Sequence, residues 1–175
     1  MQPQAPLTLD TPRLRLRPFT GADLDAFAAM SADAEVMRFI GDGSVIDRAM
    51  SWRALAGMLG HWALRGYGQW AIERKGDGLL LGRTGFIDPE GWPGFELGWL
   101  LGRAHWGQGY AFEATQAALR EAPALQQGRP LISLIRPANE PSMRLAERLG
   151  ARRTGELELL GGPYWVYTHP SQEAH

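Results

Sequence analysis

The sequence predicts a mixed α/β single domain, and three observations carry that prediction. Arg13-Leu14-Arg15-Leu16-Arg17 alternates strictly between apolar and charged residues, the period of a strand with one buried face. Phe95 to Leu101 has strand composition and is stopped by Gly102; a loop with Gly107 and Gly109 follows, then the helical spacing of Ala111, Ala114, Ala117 and Ala118. Leu131-Ile132-Ser133-Leu134-Ile135 is apolar enough for a strand covered on both faces. Strands and helices follow one another without a repeat or an internal linker, so one layered unit is expected rather than two domains.

In chain order, residues 1–10 are proline-containing and are expected to form a flexible N-terminal segment, with the domain proper over 11–170. The Arg13–Arg17 strand turns its leucines inward, and its arginines read as a solvated face. Pro18 ends it. Thr20 with Asp23 three residues on has N-cap chemistry, and Leu24, Phe27 and Ala28 supply a helical stripe. A short second helix starts within Ser31–Asp33, buries Val36, Met37 and Ile40, and halts at Gly41-Asp42-Gly43. Asp47 to Arg65 reads as a longer helix with Trp52, Leu55, Leu59 and Trp62 as its apolar face. Gln69–Arg74 and Leu79–Ile87, joined across Lys75-Gly76-Asp77-Gly78, form a predicted hairpin. A turn-rich loop, Asp88 to Gly94, leads into the Phe95–Leu101 strand. Two strands, Ala151–Leu159 and Tyr164–Thr168, close the chain.

Composition excludes several classes of function. The 175 residues, 45% hydrophobic and 21% charged, suit one globular domain. A net charge of -1 and a pI near 6.4 argue against nucleic acid or an anionic membrane as the main partner. No apolar run reaches the ~18 residues of a membrane span, and the first residues lack signal-peptide character, so the expected location is the cytoplasm. The absence of cysteine excludes disulfides, thiolate metal sites and a cysteine nucleophile. His61, His105, His169 and His175 have no ligand spacing, and no metal is expected.

A strand, a glycine loop and a helix in that order direct free backbone N–H groups and the positive end of a helix dipole at one point, where an anion such as a pyrophosphate is the natural guest. The same order also describes an ordinary strand-to-helix turn. Two phosphate motifs do not fit. A dinucleotide fingerprint needs glycine where Phe112 stands, and a P-loop needs a Gly-Lys pair, whereas the one lysine is Lys75. Trp106-Gly107-Gln108-Gly109-Tyr110-Ala111-Phe112-Glu113-Ala114 resembles the acyl-CoA pyrophosphate loop of the GNAT N-acetyltransferases, in particular the branch that includes the RimJ and RimL ribosomal-protein acetyltransferases. Ala104 departs from the general pattern, which has Gln or Arg three residues before the first glycine. The resemblance runs from Thr11-Pro12-Arg13-Leu14 to about Tyr167 and is most specific at the loop and at Asn139-Glu140-Pro141-Ser142.

The resemblance implies a twisted, mostly antiparallel mixed sheet of about six to seven strands, whose two central strands splay apart to admit the thioester of acetyl-CoA. It implies acetyl transfer to a primary amine through a ternary complex, with no covalent enzyme intermediate. Cofactor contacts fall on Trp106, Gly107, Gln108, Gly109, Tyr110 and Ala111 for the pyrophosphate, with Arg103 lending charge or simply lying at the surface. Backbone N–H groups near Leu100 and Leu101 would polarise the thioester carbonyl. Asn139 would contact the pantetheine arm, and Ser142 would protonate the thiolate. Read without the resemblance, Asn139 is a helix N-cap and Ser142 its third helical residue. Glu96, in a largely apolar strand, is the candidate general base; the alternative is a solvated or arginine-paired glutamate. Glu156, Glu158 and His105 are lesser candidates.

Two classes of function remain: an acetyl-CoA-dependent N-acetyltransferase, or a non-catalytic acyl-CoA-binding module of the same fold. A nucleotide-binding domain is disfavoured by the glycine spacing. The acceptor is either a protein N-terminus or a small-molecule amine, read by residues 21–65 and 155–168, with Trp52, Trp62, Trp92 and Trp165 either walling its pocket or lying in the core. A homodimer is compatible with the resemblance.

Overall fold

The computed structural model describes residues 4–171 of the 175, so the expectations for Met1–Pro3 and for His175 lie outside the described residues. The chain runs β1 (Leu9–Asp10), β2 (Leu14–Arg17), α1 (Leu24–Ser31), α2 (Ala34–Met37) and α3 (Arg48–Arg65). It continues through β3 (Gln69–Arg74), β4 (Leu80–Ile87), β5 (Phe95–Leu101), α4 (Tyr110–Leu119) and α5 (Ala122–Leu125). It ends with β6 (Leu131–Ile135), α6 (Glu140–Arg148), β7 (Arg152–Leu159) and β8 (Gly162–Thr168).

The eight strands form one sheet in the order β1-β2-β3-β4-β5-β6-β8-β7, antiparallel everywhere except between β5 and β6. One more strand is present than the six to seven expected. The addition is β1, which pairs with β2 at Leu9↔Leu16 and Asp10↔Arg15. Over residues 4–10 the chain is therefore docked where a loose segment was expected. Besides that pairing, Ala5 is buried and its N–H donates to Gly66 O, because the segment caps the core beside Trp70. Composition near a terminus does not register such a docking.

Leu14 and Leu16 are fully buried, as the alternation requires. The face of β2 they share packs on α4, in one core with the aromatic group of Trp70, Phe86 and Phe95 and with Leu145 of α6. The opposite face of the sheet, with Ala71, Leu80 and Leu100, is covered by α1, α2 and α3. Asp47 caps α3 by accepting from Met50 N–H, and Gly66 ends it in the left-handed conformation.

The face of α3 differs from its hydropathy. Ser51 and Leu55 are buried with Ala54 and Met58 beside them, while Trp52 and Leu59 are 58% and 38% exposed. Trp52 is therefore neither core nor cleft wall. Where α1 packs on α3, the small Ser51 lets the helices approach, its hydroxyl satisfied by Asp47 O at 2.8 Å. Packing contact, not side-chain size, selects the inward stripe.

Candidate active site

The splay of the central strands is visible in the pairing. β5 and β6 are in register only at Phe95↔Leu131 and Glu96↔Ile132, although each continues for several residues. Past that point the Ser133 hydroxyl donates across the widening gap to Leu97 O at 2.7 Å. His169 Nε2 lies 2.9 Å from the same hydroxyl oxygen. With the serine proton spent on Leu97 O, the imidazole is the donor there. Burial pulls the His169 pKa down to about 4 and keeps the ring neutral.

The gap divides the two backbone donors expected to serve the thioester. Gly102 N–H donates to Leu81 O, and the ladder pairs Leu100 with Arg83 and Gly98 with Gly85. Alternation along β5 therefore turns the Leu100 N–H toward β4 as well, where it is satisfied. Leu101 and Trp99 face the gap instead. The expectation that the Leu100 N–H is left unpaired is corrected by this register; the N–H groups facing the gap are those of Trp99 and Leu101.

A cavity of about 200 Å³ opens at the splay. Its floor is Gln69, Arg83, Glu96 and Gly98 on the face shared by β3, β4 and β5; Ser133 and Leu134 of β6 line it, and Asn139 and Ser142 approach from the start of α6. Phe39, Ile40 and Gly41 after α2, with Leu160 and Tyr164 of the last hairpin, form the outer wall. Glu96, Asn139 and Ser142 thus line one cavity. Gly98 is small because a Cβ there would meet the Gln69 amide at 3.2 Å.

Glu96 is 7% exposed. Burial pushes its pKa up to about 7, opposed by donation from Trp92 Nε1–H at 2.7 Å, by the Leu134 N–H and by the charge of Arg83. A carboxyl held near neutrality in a cavity can exchange a proton at physiological pH. Arg83 is half-buried at the cavity: desolvation pulls its guanidinium down to about 10, with Glu96 opposing. Its Nη1 donates to Gln69 Oε1 at 2.6 Å.

Ser142 sits at the third helical position of α6, its N–H 3.4 Å from the cap oxygen of Asn139. Trp99 Nε1–H donates to Ser142 Oγ at 3.1 Å. An indole nitrogen can only donate, so the serine oxygen is the acceptor and its own proton remains available. Tyr164, by contrast, commits its hydroxyl proton to Gly41 O at 2.8 Å. The lesser candidates are elsewhere: Glu156 is exposed and paired with Arg153, Glu158 is exposed, and His105 belongs to the turn before the glycine loop.

At the loop, Gly107 and Gly109 have φ of +72° and +80°, a conformation that favours glycine, and a Cβ at Gly107 would meet nothing. Glu113 N–H is the first to turn back into the helix, onto Gly109 O. Among the described residues the N–H groups from Gly107 through Phe112 find no protein acceptor, so Gly107, Gln108, Gly109, Tyr110 and Ala111 form a donor nest of the kind a pyrophosphate fits. Trp106 anchors the loop through Nε1–H to Leu101 O at 2.8 Å. Arg103 is held by both Asp33 oxygens, at 3.1 and 3.2 Å, rather than turned to the nest.

Arg13, read from alternation as a solvated residue, is exposed as expected and also reaches the loop. It donates to Gln108 O at 3.0 Å and to Glu113 at 2.6 Å, with its guanidinium over the Tyr110 ring. Arg83 escaped the sequence reading too, although a charged residue inside Leu80-Leu81-Gly82-Arg83-Thr84-Gly85-Phe86-Ile87 was the available signal. Of the four tryptophans named, only Trp92 walls the cavity; Trp62 packs edge-on against Trp70, and Trp165 stacks under Arg153.

The acetyltransferase (GNAT) domain family matches residues 13–152. An uncharacterised N-acetyltransferase of Bacillus licheniformis, p20, is 30% identical over 153 residues, covering 86% of this chain and 85% of its own length. An acetyltransferase from Agrobacterium tumefaciens superposes with a TM-score of 0.83 at 30% identity, over 95% of this chain and 96% of that one. RimJ of Mycobacterium smegmatis, solved with CoA-disulfide, shares the fold with a TM-score of 0.75 at 21% identity, covering 96% and 89%.

Proposed function

Since the chain belongs to the GNAT acetyltransferase family, we propose that it transfers acetyl from acetyl-CoA directly to a primary amine, in a ternary complex at the β5–β6 splay. Acetyl-CoA supplies an activated thioester whose carbonyl carbon accepts the amine and whose thiolate departs. The donor nest of Gly107 to Ala111 holds the pyrophosphate, and Asn139 at the start of α6 meets the pantetheine arm. The N–H groups of Leu101 and Trp99 stabilise charge on the carbonyl oxygen. Glu96 takes the proton from the amine, and Ser142 gives its proton to the departing sulfur. A thiol is acidic enough that this last help is modest.

The observation that carries this reading is the meeting of Glu96, poised near pH 7, and Ser142, with an uncommitted proton, in one cavity at the mouth of the splay. An N-acetyl transfer is also the activity named for p20 of Bacillus licheniformis. The test is free-thiol release from acetyl-CoA across a broad amine panel, beside calorimetric binding of acetyl-CoA. Amine-dependent release is expected. Tight binding without release for any amine would make the chain an acyl-CoA-binding module instead.

A further inference from the structure

The acceptor side of the cavity carries more positive charge than its assigned chemistry uses. Arg83 extends from β4 opposite Leu100, and Glu96 stands on β5 opposite Ile87, so the two are four register positions apart, ~13 Å along the sheet. Both point from the same face into the same space. They make no ion pair, and among the described residues Arg83 has no carboxylate within 4 Å and a single hydrogen-bond partner, the neutral Gln69. The remaining N–H groups of that guanidinium fork are unmatched.

The other arginine at the cavity differs. Arg136 is occupied by Gly41 O at 2.7 Å and Leu160 O at 3.3 Å, and lies over the Tyr164 ring. Both bonds leave from Nη2 and tie Arg136 to the outer wall, whereas Arg83 rises from the cavity floor that it shares with Glu96. Against these two cations stands Glu96 alone, half-protonated near neutral pH. The Arg83 guanidinium is half-buried, and its unmatched N–H groups face the cavity, where a carboxylate could complete them.

We infer that Arg83 binds a carboxylate of the acceptor, and that the acceptor is a small amine bearing that carboxylate a few bonds from the nitrogen, a free amino acid in class. This rests on the amine-acetylating reading above. The amine against Glu96 and the carboxylate in the Arg83 fork would put the two ends of such a molecule on the two charged groups of the cavity floor. Its size suits a cavity of about 200 Å³, smaller than the usual drug-sized pocket. A polyamine would add cations to a cationic site. A peptide N-terminus carries an amide where the fork expects a carboxylate.

The experiment compares free L-amino acids with their own primary amides as acceptors, by kcat/KM for thiol release. The amide's amine is the weaker base and is less protonated at neutral pH, so its intrinsic reactivity favours the amide. The expected result is nonetheless a preference for the acid of roughly tenfold to a hundredfold, the worth of a hydrogen bond to a charged group. In Arg83→Gln the acid-to-amide ratio should fall toward one. Equal use of acid and amide by the unaltered protein, or a ratio that Arg83→Gln does not change, would overturn the inference.

Calorimetric binding of the N-acetylated amino acid and its amide to the unaltered protein, with CoA present, decides the matter even if Arg83→Gln fails to fold. Tighter binding of the acid supports the fork, and equal binding contradicts it. Absence of thiol release with every amine would instead contradict acetyl transfer itself, while the binding arm would still read Arg83.

Discussion

At Glu96 the carboxyl proposed as the general base also weakens the fold. Below pH 4.5 it is protonated in both folded and unfolded states and costs nothing. Between there and about pH 7 the unfolded chain releases its proton first, so stability is lost as pH rises, by about 3 kcal/mol in full. Glu96→Gln should remove that loss, and its melting temperature should gain on the unaltered protein's between pH 5 and pH 8. The same variant should lower kcat by roughly 10²–10⁴ with acetyl-CoA affinity nearly unchanged, and should erase the fall in kcat/KM below about pH 7. Unaltered turnover and pH dependence would assign the proton to another group. Ser142→Ala should retain acetyl-CoA binding and most of its stability yet lose roughly tenfold to a hundredfold in kcat. Loss of stability without loss of turnover would leave the serine only its place in the helix start. Glu96 was legible because alternation places residues on faces, and Asn139 and Ser142 because a motif carries them. Arg83 was not, since no local pattern shows that a strand arginine lacks a partner.

Among the elements, the strand–loop–helix from Phe95 to Leu119 was the most legible, because glycine, alanine spacing and β composition agree there. Gly109 has φ of +80° and its Cβ position lies 3.4 Å from the Arg13 guanidinium. A β-branched residue is strained there and would stand at the donor nest. Gly109→Val should leave the protein folded and weaken acetyl-CoA binding at least tenfold, about 1.4 kcal/mol or more, by calorimetry. Unchanged affinity would remove the loop from the site. The face of α3 was not legible, as Trp52 and Leu59 satisfy the helical period yet lie outside. A period identifies candidate faces, and the partner α1 chooses among them. Arg13 shows the complement: a residue of exposed character recruited over a sequence distance of 100 residues to pin Glu113 at the first turn of α4.

At the scale of the molecule, the α/β order could be read from the chain, whereas the width and place of the splay could not. It depends on β6 pairing with β8 from Ile132↔Thr168 to Ile135↔Trp165 while leaving β5 after Glu96, a competition between distant strands. The docking of Ala5 and of β1 is likewise a tertiary event. The splay underlies the proposed reaction order: the donor nest and the cavity reach the same gap, so thioester and amine can be held together. No cysteine is available to carry an acyl group between them. The most direct measurement is therefore the initial rate of thiol release over a grid of acetyl-CoA and amine concentrations. Direct transfer within a ternary complex gives double-reciprocal lines that intersect. Parallel lines, the signature of a covalent acyl-enzyme, would contradict it, as would a rate indifferent to the amine.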